Sequence, residues 1–285
     1  MALDKNWFVE IAPEAGFAQA LKIRGKLHEE QTPYQKLEIY ATEDWGNLMT
    51  LDGLVMLTAR DNFVYHEMMS HPPIMTHPDP RRVAIVGGGD CGTLREVLRH
   101  PAIEKVFQVE IDEAVTRAAE KYFPELTEAN DDPRAELLFV DALEWMKQRR
   151  PNSLDVIIVD STDPVGPAVG LFRRAFYADC LRALGETGVL VQQSESPLLH
   201  LDILKAMRAE MKSAGFAQLR TYQFCQPTYP SGWWSATMAG HGVDLLDFRE
   251  QDARELSFEG RYYSADMHRG GMAMQPFVVK ALAED

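Results

Sequence analysis

The sequence predicts an α/β protein in which a doubly wound, mostly parallel sheet follows a small N-terminal β-domain. Three observations carry that expectation. Beyond residue 80, short apolar runs alternate with amphipathic segments; before residue 60, hairpin turn signals recur; and a glycine-rich turn, "GGGDCG", stands directly after the first of the apolar runs.

In chain order, "KLEIYATEDWGNLMTLDGLVML" (36–57) reads as short strands joined by "WGN" and "LDG" turns. The segment "DNFVYHEMMSH" (61–71) has helical spacing and is expected to stop at Pro72 and Pro73, after which "THPDP" links to the main domain. Two domains follow from this reading, 1–75 and 76–285. Strands are expected at "RVAIV" (82–86), "KVFQVE" (105–110), "ELLFV" (136–140), "DVIIVD" (155–160) and "GVLVQQ" (188–193). Most are nearly continuous apolar runs, as parallel strands covered on both faces require. Amphipathic helices such as "DEAVTRAAEKYF" and "LFRRAFYADCLRAL" lie between them. Later strands near "RTYQF" and "WWSATMA" and a helix around "FVVKALAED" complete the pattern.

The formal net charge of -14 argues against nucleic acid or an anionic membrane surface as partner and favours a cationic small molecule. No apolar run approaches the ~20 residues that span a bilayer, and "MALDKNWFVE" lacks the apolar stretch of a signal peptide, so a cytoplasmic protein is expected. Cys91, Cys180 and Cys225 are widely spaced and odd in number, which fits reduced thiols. His66 and His71 imitate a zinc motif, but five residues turn a helix by about 140°, so no metal is expected there.

Acidic residues fall at successive strand ends. Asp90 follows the first strand, Glu110 ends the second, Asp141 follows the third, and Asp160 ends the fourth with Asp163 just beyond. A single such acid is often a helix cap; four successive strands ending this way point to one functional rim. The turn also fits G-x-G-x-x-G through Gly87, Gly89 and Gly92, which suits a dinucleotide or a sulfonium nucleoside. A carboxylate at Asp90 would repel a pyrophosphate, so the second reading is preferred. Glu110 would then grip ribose hydroxyls, and Asp141 with the Ala142 N–H would meet an adenine. The stretch "DSTDPVGPAVGLF" (160–172), with two prolines and two glycines, is expected to be a functional lid.

The segments "YHEMMSH", "VGGGDCGTLREVLRH", "VEID", "VDSTDPVGPA", "LFRRAFY" and "PTYPSG", in this order, resemble the polyamine aminopropyltransferases from about Trp7 to the C-terminus. The resemblance implies a Rossmann-like, methyltransferase-type domain behind the β-domain, usually in a homodimer. It implies transfer of a 3-aminopropyl group from decarboxylated S-adenosylmethionine, a co-substrate, to a diamine, with no cofactor. Putrescine is the normal acceptor, and cadaverine, agmatine or spermidine are the alternatives. By position, Asp90 would hold the donor's ammonium, Glu110 its ribose, Asp141 and Ala142 its adenine, with Gln35 and Pro167 as further nucleoside contacts. Tyr65, His66, Asp163, Gln193 and Tyr229 would meet the acceptor, Asp160 would be the base, and Trp7 would line the far end of the channel. Three departures stand out: Cys91 and Ala142 each replace a usual glycine, and Trp233 with Trp234 follow "PSG", where smaller or more polar residues are common.

Overall fold

The computed structural model describes residues 3–164 and 166–283. Met1 and Ala2, Val165 of the expected lid, and Glu284 and Asp285 of the expected last helix lie outside the described residues.

Strands β1 (Trp7–Ala12), β2 (Phe17–Gln31), β3 (Lys36–Thr42), β4 (Asn47–Leu51) and β5 (Leu54–Thr58) form an antiparallel meander in that order. At the β4–β5 hairpin Asp52 and Gly53 both take positive φ, 52° and 84°, the type I′ geometry that an Asp-Gly pair signals. Helix α1 (Asn62–Thr76) comes next and runs through Pro72 and Pro73, where the sequence predicted a stop. Pro72 lacks the N–H that would bond the Met68 carbonyl, and the Tyr222 hydroxyl donates to that carbonyl instead at 2.7 Å. Met68 and Met69 are fully buried against Val83, Ile85 and Ile158 of the larger sheet. Burial at about 1.5–3 kcal/mol per side chain offsets the roughly 3 kcal/mol cost of an interior proline. The helix expected to belong with the N-terminal unit thus packs on the second sheet.

That sheet is built from β6 (Arg82–Gly87), α2 (Gly92–Leu98), β7 (Lys105–Glu110), α3 (Glu113–Tyr122), β8 (Ala135–Phe139), α4 (Ala142–Lys147), β9 (Val156–Asp160), α5 (Arg174–Leu184), β10 (Val189–Gln193), α6 (Leu201–Ala214), β11 (Gln218–Cys225) and β12 (Trp233–Gly240). Three short helices follow: α7 (Glu250–Arg254), α8 (Ala265–Gly271) and α9 (Pro276–Ala283). The strand order is β11-β12-β10-β9-β6-β7-β8, with β6 to β10 parallel and β12 antiparallel to both neighbours. Alternate residues of the central strands enter opposite cores. Val83, Ile85, Val156 and Ile158 face α1 and α2, whereas Ala84, Val86, Ile157 and Val159 pack with α4, α5 and α6. A third cluster joins Leu37, Ile39, Met49 and Leu51 of the small sheet to Val115, Ala118 and Ala119 of α3. No helix among the described residues is long and apolar enough to cross a membrane.

The winding reverses between β6 and β9: β7 and β8 are added on one side, β9 and β10 on the other. Gly87 and Asp160 are register partners at the carboxyl ends of those two strands. A doubly wound sheet opens its ligand crevice at that point.

Candidate active site

The glycine turn makes room for carboxylates. Gly88 has φ 64°, and a Cβ there would lie 2.7 Å from Asp160 Oδ2. Its N–H donates to the Asp160 main-chain carbonyl at 2.7 Å. A Cβ on Gly89 would come within 2.9 Å of Glu110 Oε2. Gln108 pins the turn, its amide donating to the carbonyls of Gly87 and Gly88. Cys91 continues the loop at φ 67°, in the left-handed region that costs a non-glycine residue roughly 1–2 kcal/mol. The departure at this position is therefore a backbone matter as well as one of size. The Cys91 thiol is buried, and burial pushes its pKa up, so it is no nucleophile.

Two adjoining cavities meet above this turn. The larger encloses about 1000 Å³, including space open to solvent, and is lined by Gln35, Asp90, Glu110, Asp141, Ala142, Asp160 and Pro167. The smaller, about 400 Å³, is lined by Asp163 and Gln193 together with Glu10 and Trp234. Tyr65 and Tyr229 line both. Of the residues singled out from the sequence, His66, Trp7 and Trp233 line neither cavity. His66 is buried behind Asp90, and Trp233 packs edge-on against Phe277 with ring centroids 6.1 Å apart. His66 and His71 also go separate ways: His66 pairs with Asp90, and His71 with His100 and Glu96.

Asp160 lines the larger cavity, next to Ser161 and Tyr65, which line both. The Tyr65 hydroxyl donates to its Oδ1 at 2.7 Å and the Thr93 hydroxyl to its Oδ2 at 2.6 Å. Burial and then the charge of Asp90 raise its pKa above the usual carboxylate value, against the opposing pull of His66 and the two hydroxyls. Burial also keeps Tyr65 firmly protonated, so it remains a donor. At Asp90 burial alone would raise the pKa, but the His66 ring and the Gly92 N–H hold the carboxyl below its usual range.

Each residue expected from the sequence to meet the nucleoside is placed by the local fold. Gln35 lies in the β2–β3 turn, its amide donating to Asp112 Oδ2 at 3.0 Å, beside Thr32 at 2.7 Å. Asp141 is indeed a helix cap, accepting the Leu143 N–H at 2.8 Å, and it lines the cavity as well. Glu110 accepts the Asp112 N–H at 2.8 Å, and burial above all pushes its pKa up to about 7. A consequence can be measured. Below that value the carboxyl is protonated and loses its capacity to accept two ribose hydroxyls, so affinity for a nucleoside should fall as pH drops from 8 to 6. Calorimetry with methylthioadenosine at both values checks this, and Glu110→Gln should abolish the dependence.

Sequence reasoning missed Thr93, Glu10 and Glu195. Glu10 interrupts the buried phase of β1, between Phe8 and Ala12, and a charge in such a phase was the available signal. Glu195 stands two residues past β10, repeating the strand-end pattern. It is fully buried, with His200 Nδ1 3.0 Å from its Oε2. Burial raises the pKa of Glu10 and Glu195, and burial with the neighbouring Glu195 pushes Asp163 up to about 8. An excess of buried carboxyls around a small cavity favours a cationic occupant.

Comparison with known proteins agrees with this geometry. Residues 62–248 match the family model for the Spermine/spermidine synthase domain, and residues 6–59 match that for the Spermidine synthase tetramerisation domain. The chain is 61% identical over 279 residues to a polyamine aminopropyltransferase of Nitrosococcus oceani, covering 98% of each chain. It is 59% identical over 280 residues to one of Methylococcus capsulatus, again covering 98% of each. A crystal structure of spermidine synthase in complex with the transition state analogue AdoDATO superposes with a TM-score of 0.95 at 36% identity, covering 100% of this chain and 97% of that one. Spermidine synthase from Thermotoga maritima gives a TM-score of 0.92 at 37% identity, over 98% and 94%. From its glycine turn to its acid-lined crevice, then, the chain belongs to the spermine/spermidine synthase family, the polyamine aminopropyltransferases.

Proposed function

We propose that this enzyme transfers the 3-aminopropyl group of decarboxylated S-adenosylmethionine to putrescine, giving spermidine and methylthioadenosine. The observation that carries the reading is Asp160, which lines a nucleoside-sized cavity and is held by two hydroxyls, one of them that of Tyr65, shared with the adjoining acid-lined cavity. The donor occupies the larger cavity: Glu110 takes the ribose, Asp141 and Ala142 the adenine, Gln35 and Pro167 flank them, and Asp90 meets the propyl ammonium. The acceptor occupies the smaller one, with Asp163, Gln193 and Tyr229 around it and Glu10 at the N-terminal wall.

The reaction is a direct displacement. An alkyl ammonium with a pKa of about 10.4 has no lone pair at neutral pH. Asp160 accepts the proton, Tyr65 orients the nitrogen, and the freed lone pair attacks the propyl carbon bonded to sulfur. The carbon–sulfur bond breaks, and its electron pair leaves on sulfur as the neutral thioether of methylthioadenosine. Positioning two substrates in adjoining cavities supplies much of the rate. Neither a cofactor nor a metal enters these steps. The tetramerisation-domain match supports self-association, and a cytoplasmic homodimer completes the reading.

An acceptor panel assayed with the decarboxylated donor tests the choice of amine, with putrescine expected to give the highest kcat/KM. Better turnover of cadaverine, agmatine or spermidine would replace it. Trp234, packed against Tyr229 with ring centroids 4.7 Å apart, bounds the channel. Trp234→Gly should improve longer amines relative to putrescine, whereas Trp233→Gly should leave the preference unchanged. Kinetics of both variants on putrescine and spermidine decide the point.

A further inference from the structure

We infer that His66 is a positioning residue for Asp90, and through it for donor selectivity, rather than a contact for the acceptor amine. The inference rests on the reading of Asp90 as the group that meets the donor's ammonium.

His66 lies in α1 with only 1% of its surface exposed, and it lines neither cavity. Its Nε2 is 3.1 Å from Asp90 Oδ1. The same oxygen accepts the Gly92 N–H at 2.7 Å, so two donors fix one side of the carboxylate. Asp90 itself lines the larger cavity. The other ring nitrogen, Nδ1, is buried and has no hydrogen-bond partner among the described residues. Burial alone would lower the His66 pKa, but the Asp90 carboxylate outweighs it and raises it, so the Nε2 proton that faces Asp90 is firmly held. Through that N–H, His66 fixes the orientation of the Asp90 carboxylate. An oriented carboxylate is what discrimination between an ammonium and a zwitterion requires.

Gly92 is shaped for the same arrangement. A Cβ there would lie 2.2 Å from the ring atoms Cε1 and Nδ1 of His66. The last glycine of "GGGDCG" therefore keeps space for an imidazole from another helix.

Isothermal titration of His66→Ala and His66→Gln with three ligands separates the possibilities. His66→Ala should lose about tenfold in affinity for decarboxylated S-adenosylmethionine, the size of one hydrogen bond to a charged group. Methylthioadenosine, which lacks the ammonium, should bind within twofold of normal, and the putrescine KM should also stay within twofold. His66→Gln, whose amide reaches toward the position of Nε2, should restore most of the donor affinity. A raised putrescine KM with intact donor affinity would overturn the inference and return His66 to the acceptor site. Equal losses for donor and methylthioadenosine would overturn it too, as a general packing defect. Should His66→Ala fail to fold, nitrogen-15 NMR of the unaltered protein carries the test: a proton on Nε2 is expected, and an unprotonated Nε2 would contradict it. If the unaltered protein bound S-adenosylmethionine as tightly as its decarboxylated form, the proposed role of Asp90 would fall, whatever the His66 variants show.

Discussion

Replacing Asp160 by Asn should lower turnover by roughly 10² to 10⁴ while leaving donor affinity nearly unchanged, because the change removes a proton acceptor and little volume. The geometry gives this expectation its shape. Tyr65 and Thr93 both donate to the carboxylate, and Asn offers one oxygen in place of two, so one hydroxyl loses its acceptor. The pH profile supplies the sign. Burial and Asp90 raise the Asp160 pKa, so in the unaltered enzyme the active carboxylate is lost as pH falls through that raised value, and the acidic limb should lie above the position of an ordinary carboxyl. In the variant that limb should vanish, and raising the pH toward the amine's own pKa should recover part of the rate. Steady-state kinetics from pH 5 to 10 check both points. A raised putrescine KM with near-normal kcat would instead make Asp160 a binding group.

Asp90→Ala is expected to weaken decarboxylated S-adenosylmethionine by about 2 to 5 kcal/mol, the range seen when one partner of a buried charge pair is truncated. The donor's ammonium would lose its counter-charge in a site where burial strengthens every electrostatic contact. S-Adenosylmethionine should not weaken in parallel, since in the proposed placement its carboxylate would be repelled by Asp90. The ratio of the two affinities, measured by calorimetry, should therefore narrow. Methylthioadenosine should be little affected, because the residues proposed to hold the nucleoside are Glu110, Asp141 and Gln35, elsewhere in the cavity lining. A uniform loss for all three ligands would show that the variant had disturbed the loop rather than removed a charge.

Much of the fold was legible because the central strands are apolar on both faces. Residues 82–86, 105–110 and 155–160 needed no tertiary information, and the structure places strands there within a residue. The run of α1 through Pro72 and Pro73 was not legible, since its compensation comes from Tyr222, over a hundred residues away in the chain. The acids at the strand ends could be read because parallel strands bring their carboxyl ends together wherever the helices go. Thr93 could not be, as its value lies in reaching Asp160 from the first turn of α2. Cys91 shows the other limit: its type suggested tolerance, and only its φ reveals the cost. Trp233 and Trp234 are adjacent in sequence and alternate in direction along β12, so Trp234 lines the smaller cavity and Trp233 packs on Phe277.

The central claim is aminopropyl transfer from a decarboxylated donor to a diamine. Mass spectrometry of the purified protein incubated with decarboxylated S-adenosylmethionine and putrescine tests it most directly. Spermidine and methylthioadenosine should appear in equal amounts, and none of either when S-adenosylmethionine replaces the donor. Methylthioadenosine released without spermidine, or a methylated amine formed from S-adenosylmethionine, would contradict the account.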